Sequence, residues 1–466
     1  MSSTSPHPPH AKENALPAAW PIFWIASGAV FLVSLDTTML YSVFESIRRS
    51  FTYATPASLS WVLNAYTIVY AAMLIPAGGF ADAHGRKRVF LVGVLVFISA
   101  SAACGMSPDI ATLVGARVCQ AIGAALLTPA SLSLVLAAFP PSQRAMTVSM
   151  WGAVGGFAAA VGPSLGAYTA QTYSWRWAFL INVPVGAISL LLGIRLLAPT
   201  ASAAIRRRVD VIGMALLIAS VALMALLLVE LRGSVWTNLE LALIAGLSVG
   251  CLLIFVVWAN KVSDPLIELS LFRNTTYAVV NLATLTFGIA FAMMFFAFFF
   301  YMTEIWHFDS VHAGFAIIPG PLTVIPVAIA TGRLAGRYGY RRFLVSGSLL
   351  YAVTGTWFYF IPGVSPEYGS HWLPGLLISG ASVGLVMPSL AGAAVSRLPV
   401  EHYAVGSAVN QATRQMGAVI GVAIVVMLLG HGIPTRASFD AVYGTHIALA
   451  LITALLCAFV RERRND

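Results

Sequence analysis

The chain has 466 residues, of which 59% are hydrophobic and only 9% charged, and its mean hydropathy is +0.85. A soluble domain carries about 25% charged residues, so too few polar groups are present to cover a water-facing surface, and a soluble globular protein is excluded. The net charge of +9 is spread over short segments between apolar runs, a pattern that reads as membrane topology and not as a nucleic-acid surface.

The first twenty or so residues are rich in Ser, Pro and His and lack an apolar core with a small-residue cleavage site. They read as a disordered cytoplasmic tail over residues 1–20. Apolar runs of bilayer-crossing length then recur to the end of the chain. They are continuous and do not alternate in polarity, so they predict helices and not barrel strands. The first six spans are Pro21–Phe44, Ala57–Phe80, Val89–Met106, Ile110–Phe139, Ala145–Tyr173 and Trp177–Leu197. Two more follow at Val211–Leu231 and Leu239–Asn260, and the last six are Tyr277–Tyr301, Ala313–Leu334, Phe343–Ile361, Leu373–Val395, Tyr403–Leu429 and Thr445–Val460. The fold class is therefore an all-α integral membrane protein of about fourteen transmembrane helices. Its organisation is an N-terminal six-helix bundle over 21–200, an inserted helix pair with linkers over 201–275, and a C-terminal six-helix bundle over 276–466. Ala201 to Asp210 reads as the hinge into the inserted pair, and Asp264 to Asn274 as an amphipathic stretch along the cytoplasmic face.

Loop charges agree with this count. With a cytoplasmic N-terminus, alternate loops carry Arg86-Lys87-Arg88, Arg144, Arg206-Arg207-Arg208, Lys261 with Arg273, Arg337 with Arg341-Arg342, and Arg397. The opposite loops carry only Arg48, Arg49, Arg176, Arg232 and Arg436. The bias places both termini on the cytoplasmic side. Gly78 to Leu91 reads Gly-Gly-Phe-Ala-Asp-Ala-His-Gly-Arg-Lys-Arg-Val-Phe-Leu, and a weaker copy stands at Gly332 to Arg342. Each follows the second span of a six-span block, and Gly85 and Gly339 lie 254 positions apart. Internal repeats of this kind characterise secondary transporters. The four cysteines show neither metal spacing nor a disulfide framework.

The Gly78–Leu91 segment resembles the signature loop of the major facilitator superfamily. Arg117-Val-Cys-Gln120-Ala-Ile-Gly123 looks like its fourth-span pattern, and Gly162-Pro163-Ser-Leu-Gly166 resembles the fifth-span Gly-Pro motif of its antiporters. Trp175 to Gly186 is similar to a segment typical of its drug exporters, and Leu35-Asp36-Thr37-Thr38 looks like the first-span motif of the fourteen-span drug/proton antiporters, the EmrB/QacA-like branch. The chain departs from the pattern at Tyr41 and Glu45, where the branch continues toward an Asn and a Pro. It departs again at Ala167 and at Gly336, where a glycine and an acid are usual.

Asp36 sits mid-span, and an intramembrane acid is a functional-site candidate by default. Such a carboxylate can exchange a proton for a cationic substrate. Arg117 cannot lose its proton and needs a partner or a wet cavity. It is the second proton-coupling candidate, read either as a switch acting on Asp36 or another protonatable group, or as a fixed anchor between helices. A candidate substrate cavity takes Tyr41, Asn64, Tyr66 and Gln120 from the first half and Phe291, Met294, Phe295, Asn410 and Arg414 from the second. Phe287, Phe291, Phe295 and Phe298 can share one helix face, suited to flat lipophilic cations. Gly78, Asp82, Gly85 and Arg86 form a candidate gating loop, and Gly162 with Pro163 a helix-bend motif whose role is conformational.

These readings predict a proton-coupled transporter that exports small lipophilic or cationic compounds by alternating access in the bacterial inner membrane. A dedicated metabolite exporter or importer of the same fold is the alternative, and a non-transporting membrane sensor a distant one. No Gly-x-Ser-x-Gly, His-Glu-x-x-His or phosphate loop occurs, so an enzyme is not expected. No cofactor and no metal are expected. The expected partners are a small-molecule substrate, protons and the lipid bilayer, with no nucleic acid. The chain is read as a monomer, with a periplasmic adaptor left open.

Overall fold

The computed structural model describes residues 19–460 apart from 55, 199–209, 231–235, 264, 268, 397, 399–402 and 430–433. Residues 1–18 of the expected tail, the 201–210 hinge except Asp210, and the side chains of Tyr41, Asn64 and Asp82 lie outside the described residues, whereas Ala19 and Trp20, expected in the tail, are helical. The helices of the first half are α1 (Ala19–Ser50), α2 (Pro56–His84), α3 (Arg86–Gly105), α4 (Ile110–Ala138), α5 (Pro141–Thr172), α6 (Trp177–Leu180) and α7 (Asn182–Leu196). The inserted pair is α8 (Val211–Glu230) and α9 (Asn238–Ala259). The second half holds α10 (Thr275–Phe300), α11 (Ser310–Ile317), α12 (Pro319–Tyr338), α13 (Tyr340–Phe360), α14 (Leu373–Val395), α15 (Tyr403–Leu429) and α16 (Arg436–Ala458). Twelve of the resulting rods are long and apolar enough to cross a membrane. α6 with α7 forms one of them, and α11 with α12 another. Helices α8 and α15 stand at the other two expected spans, and α8 is apolar over the shorter run Val211–Met224.

These runs become helices because their backbones can satisfy every N–H and C=O within one segment, which a bilayer interior demands. Polar side chains close the ends. Asp109 accepts from the Thr112 backbone N–H at 2.8 Å, and Thr237 with Glu240 forms a reciprocal capping box. Asn274 and Asp309 cap α10 and α11 in the same way, each satisfying donors that have no intrahelical partner. Backbone donors, led by the His312 N–H, hold the exposed Asp309 carboxyl below the usual carboxylate range. Asp109 is lowered likewise, chiefly by the Thr112 N–H.

Several expected boundaries shift. The Gly78–Leu91 segment is not a loop: α2 runs to His84, α3 starts at Arg86, and Gly85 alone makes the turn at φ 91°. Its copy repeats the device, since Gly339 turns between α12 and α13 at φ 78°. Only glycine takes that conformation at little cost. The last span begins at Arg436 and not at Thr445, because Arg436 pairs with Asp440 one turn on at 3.3 Å and their polar turn remains helical. The Asp264–Asn274 stretch contains a short 3-10 turn, Leu269–Arg273, and buries Ile267 and Leu271.

Within the first half, α1 packs on α5 and α4, α2 on α4, and α3 on α4 and α7. In the second half α10 packs on α15 and α16, and α12, α13, α14 and α16 form the remaining layer. The halves meet along two seams: α5 against α11, α12 and α14, and α2 against α15. The inserted pair docks outside the second seam, α8 lying on α2 and α15 and α9 on α8. Much of α9 is exposed, with Leu239, Leu243, Leu247 and Leu253 pointing away from the protein. That is the face a helix shows to lipid. The end that carries Gly85 and Gly339 is called below the hairpin end, and the other the far end.

Candidate functional site

Asp36 is at the centre of a closed polar cluster in the first half. Its side chain comes from α1 and is 2% exposed. Oδ2 accepts from Arg117 Nη1 at 2.6 Å. Oδ1 accepts from Gln120 Nε2 at 2.8 Å and from Asn182 Nδ2 at 3.0 Å. Arg117 also donates from Nη1 to Gln120 Oε1 at 2.7 Å and from Nε to the Val62 carbonyl at 3.3 Å. Its guanidinium lies 4.0 Å from the centre of the Tyr66 ring. Ser101 of α3 receives Gln120 Nε2 at 2.6 Å and Asn182 Nδ2 at 3.2 Å. Five helices, α1, α2, α3, α4 and α7, thus meet at one carboxylate.

Local sequence makes this arrangement. Arg117 and Gln120 are three apart on α4 and so share a face. Asn182 begins α7, after a turn at Ile181 that barely departs from helix, and points back at α1. Gly166 lets α5 approach α1 next to the acid, since a Cβ there would stand 2.8 Å from the Met39 carbonyl oxygen. An ionised carboxylate can only accept, and this one accepts from three donors. The pair is fully enclosed, which a buried charge requires if it is not to be expelled.

The chain of contacts continues toward the second half. Tyr66 stacks on Tyr70, one turn along α2, at 5.7 Å between centroids, and the Tyr70 hydroxyl bonds Thr128 at 3.1 Å. Tyr70 in turn lies within electrostatic reach of Arg414 on α15. Arg414 bonds Gln411 Oε1 of its own helix, from Nε at 3.1 Å and Nη2 at 2.8 Å. Among the described residues, no carboxylate pairs with it.

The predicted cavity residues separate into three groups. Phe291, Met294 and Phe295 come together, with Phe298, Tyr351 and Ser379, around a pocket of about 40 Å³ inside the second half. Phe287 stands behind it against Tyr351, 5.1 Å between rings. Gln120, Tyr66 and Asn410 do not line an open space. The first two are walled into the Asp36 cluster, and Asn410 donates to Asn281 at 3.2 Å and Thr284 at 2.8 Å, tying α15 to α10. Tyr41 and Asn64 have no described side chain. Of the gating residues, Gly78 lies within α2, Gly85 makes the turn and Arg86 opens α3. Beside them, Lys87 donates to the Ile194 carbonyl at 3.1 Å and to that of Leu197. A cation at the end of α7 complements that helix's dipole. Gly162 and Pro163 lie within an unbroken α5.

Sequence reasoning did not single out Asn182 or Ser101. Asn182 had a readable signal, as an amide inside an apolar span, whereas Ser101 had none, because small hydroxyl residues are common in membrane helices.

Comparison with known proteins agrees with this architecture. The family model described as Major Facilitator Superfamily matches residues 26–422, and again 282–466. The multidrug resistance protein Stp of Mycobacterium tuberculosis is 30% identical over 412 residues, covering 87% of this chain and 75% of the relative. The multidrug export protein EmrB of Escherichia coli is 29% identical over 85% of this chain and 77% of its own. The cephamycin export protein CmcT of Amycolatopsis lactamdurans is 31% identical over 94% and 92%. Among solved structures, the human organic anion transporter MFSD10 shares the fold with a TM-score of 0.67 at 15% identity, covering 95% of this chain and 100% of that one. The chain therefore belongs to the Major Facilitator Superfamily, and within it to the drug-efflux transporters.

Proposed function

We propose that this chain is a proton-coupled exporter of small lipophilic compounds that works by alternating access. The observation that carries the reading is the buried Asp36–Arg117 pair at 2.6 Å. Both oxygens of Asp36 face N–H donors, so a proton arriving on either oxygen displaces at least one of them. A proton on Oδ2 leaves Arg117 with the Gln120 and Val62 oxygens and the Tyr66 ring, and one on Oδ1 displaces Gln120 or Asn182. Loading and unloading the proton therefore repacks α1 against α4 and α7, and α2 carries the change to its seam with α15. Interfaces of this kind are bistable, and the proton is the ligand that biases them.

The hairpin end faces the cytoplasm in this reading, and the membrane is the bacterial inner membrane. Support comes from Lys87 and Arg144, which stand at that end and cap the last carbonyls of α7 and α4, as the rule of basic cytoplasmic ends requires. The division into bundles at about residues 200 and 275, and a monomeric state, belong to the same proposal.

The test is pH-driven efflux in membrane vesicles carrying Asp36→Asn at wild-type protein levels. The amide keeps the size of the side chain and one acceptor but cannot carry the charge. Proton-driven export is expected to fall to background. Export at the wild-type rate would end the proposal.

A further inference from the structure

We propose that Arg414 is the recognition point for a negatively charged group on the transported compound, so that the charged substrates of this transporter are lipophilic acids. The inference rests on the exporter reading above and adds the substrate class.

The structure treats two charged side chains placed deep between the ends of the helices in opposite ways. Asp36 is sealed, with three donors and a guanidinium against it. It has no face left for a ligand cation in this conformation. Arg414 is the reverse. It stands eleven residues into α15, about 16 Å along the helix axis. It is half-buried, on a helix packed against α10 and α2. It sits where α15 meets α2, the seam between the halves. Its bonds go to one neutral acceptor, Gln411 Oε1, through Nε and Nη2. Nη1 has no hydrogen-bond acceptor among the described residues. Tyr70, across the seam, holds Thr128.

An arginine cannot discharge itself by losing a proton, and a cation at that depth is costly unless it finds a counter-charge. This chain supplies none to Arg414 from its described residues. A planar fork with free donors matches a carboxylate or sulfonate in two-point fashion. Tyr70 of α2, whose ring stacks on Tyr66, is the aromatic group within electrostatic reach of Arg414. The backbones of α10 and α15 close up tightly here, since a Cβ on Gly288 would come 3.0 Å from the Arg414 carbonyl oxygen. Gln411 holds the guanidinium without neutralising it.

The experiment is equilibrium binding to the purified full chain in detergent with three matched probes: naphthalene-2-sulfonate, the neutral methyl naphthyl sulfone and naphthyl-trimethylammonium. Wild-type protein is expected to bind the sulfonate at least tenfold more tightly than the ammonium probe. Arg414→Gln should weaken sulfonate binding about tenfold and leave the sulfone unchanged, and Arg414→Lys should recover part of the loss. A melting curve on each variant separates misfolding from lost recognition. Equal or tighter binding of the ammonium probe overturns the inference. So does a uniform loss for all three probes in a folded Arg414→Gln, or no binding of the sulfonate by the wild type. The efflux assay with Asp36→Asn decides the exporter reading independently. Export of neutral compounds without sulfonate preference would remove this inference alone.

Discussion

Asp36 shows what a buried charge asks of its neighbours. Arg117 is one donor of three, and it is pinned by Gln120, by Val62 and by the face of Tyr66. Removing one partner of such a pair leaves the other charged and unpaired, at a cost of about 3–5 kcal/mol. Arg117→Ala should therefore lower stability by about that amount, read as a fall in unfolding midpoint in detergent. The double variant Asp36→Asn/Arg117→Gln should recover at least half of the loss while remaining inactive in proton-driven export. A double variant no more stable than Arg117→Ala would show that the pair is not the source. Arg117→Lys should not substitute, because an ammonium cannot bond two acceptors and stack on Tyr66 in one geometry.

At the scale of helices, close approach is carried by particular glycines and not by glycine content. A Cβ on Gly123 of α4 would meet the Phe97 backbone nitrogen of α3 at 2.6 Å, and one on Gly417 of α15 would meet the Leu285 carbonyl oxygen of α10 at 2.7 Å. Neither backbone can step aside without separating its helix pair, and small residues are what allow such packing in a membrane. A Cβ on Gly152 of α5 meets nothing within 4 Å. Gly123→Val and Gly417→Val are expected to yield little folded protein by fluorescence-detected size exclusion, while Gly152→Ala runs as wild type. The Gly162–Pro163 stretch of α5 lies on α1 two to six residues beyond Asp36, because Gly162 faces Thr38 and Gly166 faces Met39 and Ser42.

For the whole molecule, the two seams between halves decide which motions are open to it. Toward the far end, α5 and α11 come so close that a Cβ on Gly314 would lie 3.1 Å from the Ser164 Cα. Toward the hairpin end, Val409, Ala412 and Leu398 join the apolar core of the first half. Alternating access requires these contacts to break in turn. In a background with Cys119 and Cys251 replaced by serine, the pair Ser164→Cys and Gly314→Cys should form a disulfide under oxidation, since the two positions are within bridging reach. The cross-linked protein should lose transport in proteoliposomes and regain it on reduction. Full activity of the oxidised form would show that this seam does not open.

The sequence by itself determined a great deal here. Hydropathy runs of fixed length have one structural solution in a bilayer, so the all-helical membrane fold was readable, as were the paired glycines that turn between helices at Gly85 and Gly339. Helix ends were less legible, as at Arg436, because a polar turn costs nothing once its side chains pair. The partners of each charge were not legible at all. Arg117 could have met Asp36 or any other group, Asn182 stood out only as an amide inside an apolar span, and Ser101 carried no mark of its role. Periodicity says which residues share a helix face but not which helix lies opposite. Only the tertiary structure decided that Asp36 is sealed by three donors and that Phe291, Met294 and Phe295 gather around one pocket. It likewise decided that Arg414 stands at the seam with no acid from the described residues. The physical reason is that desolvation couples groups far apart in the chain, and that coupling exists only once the helices have packed.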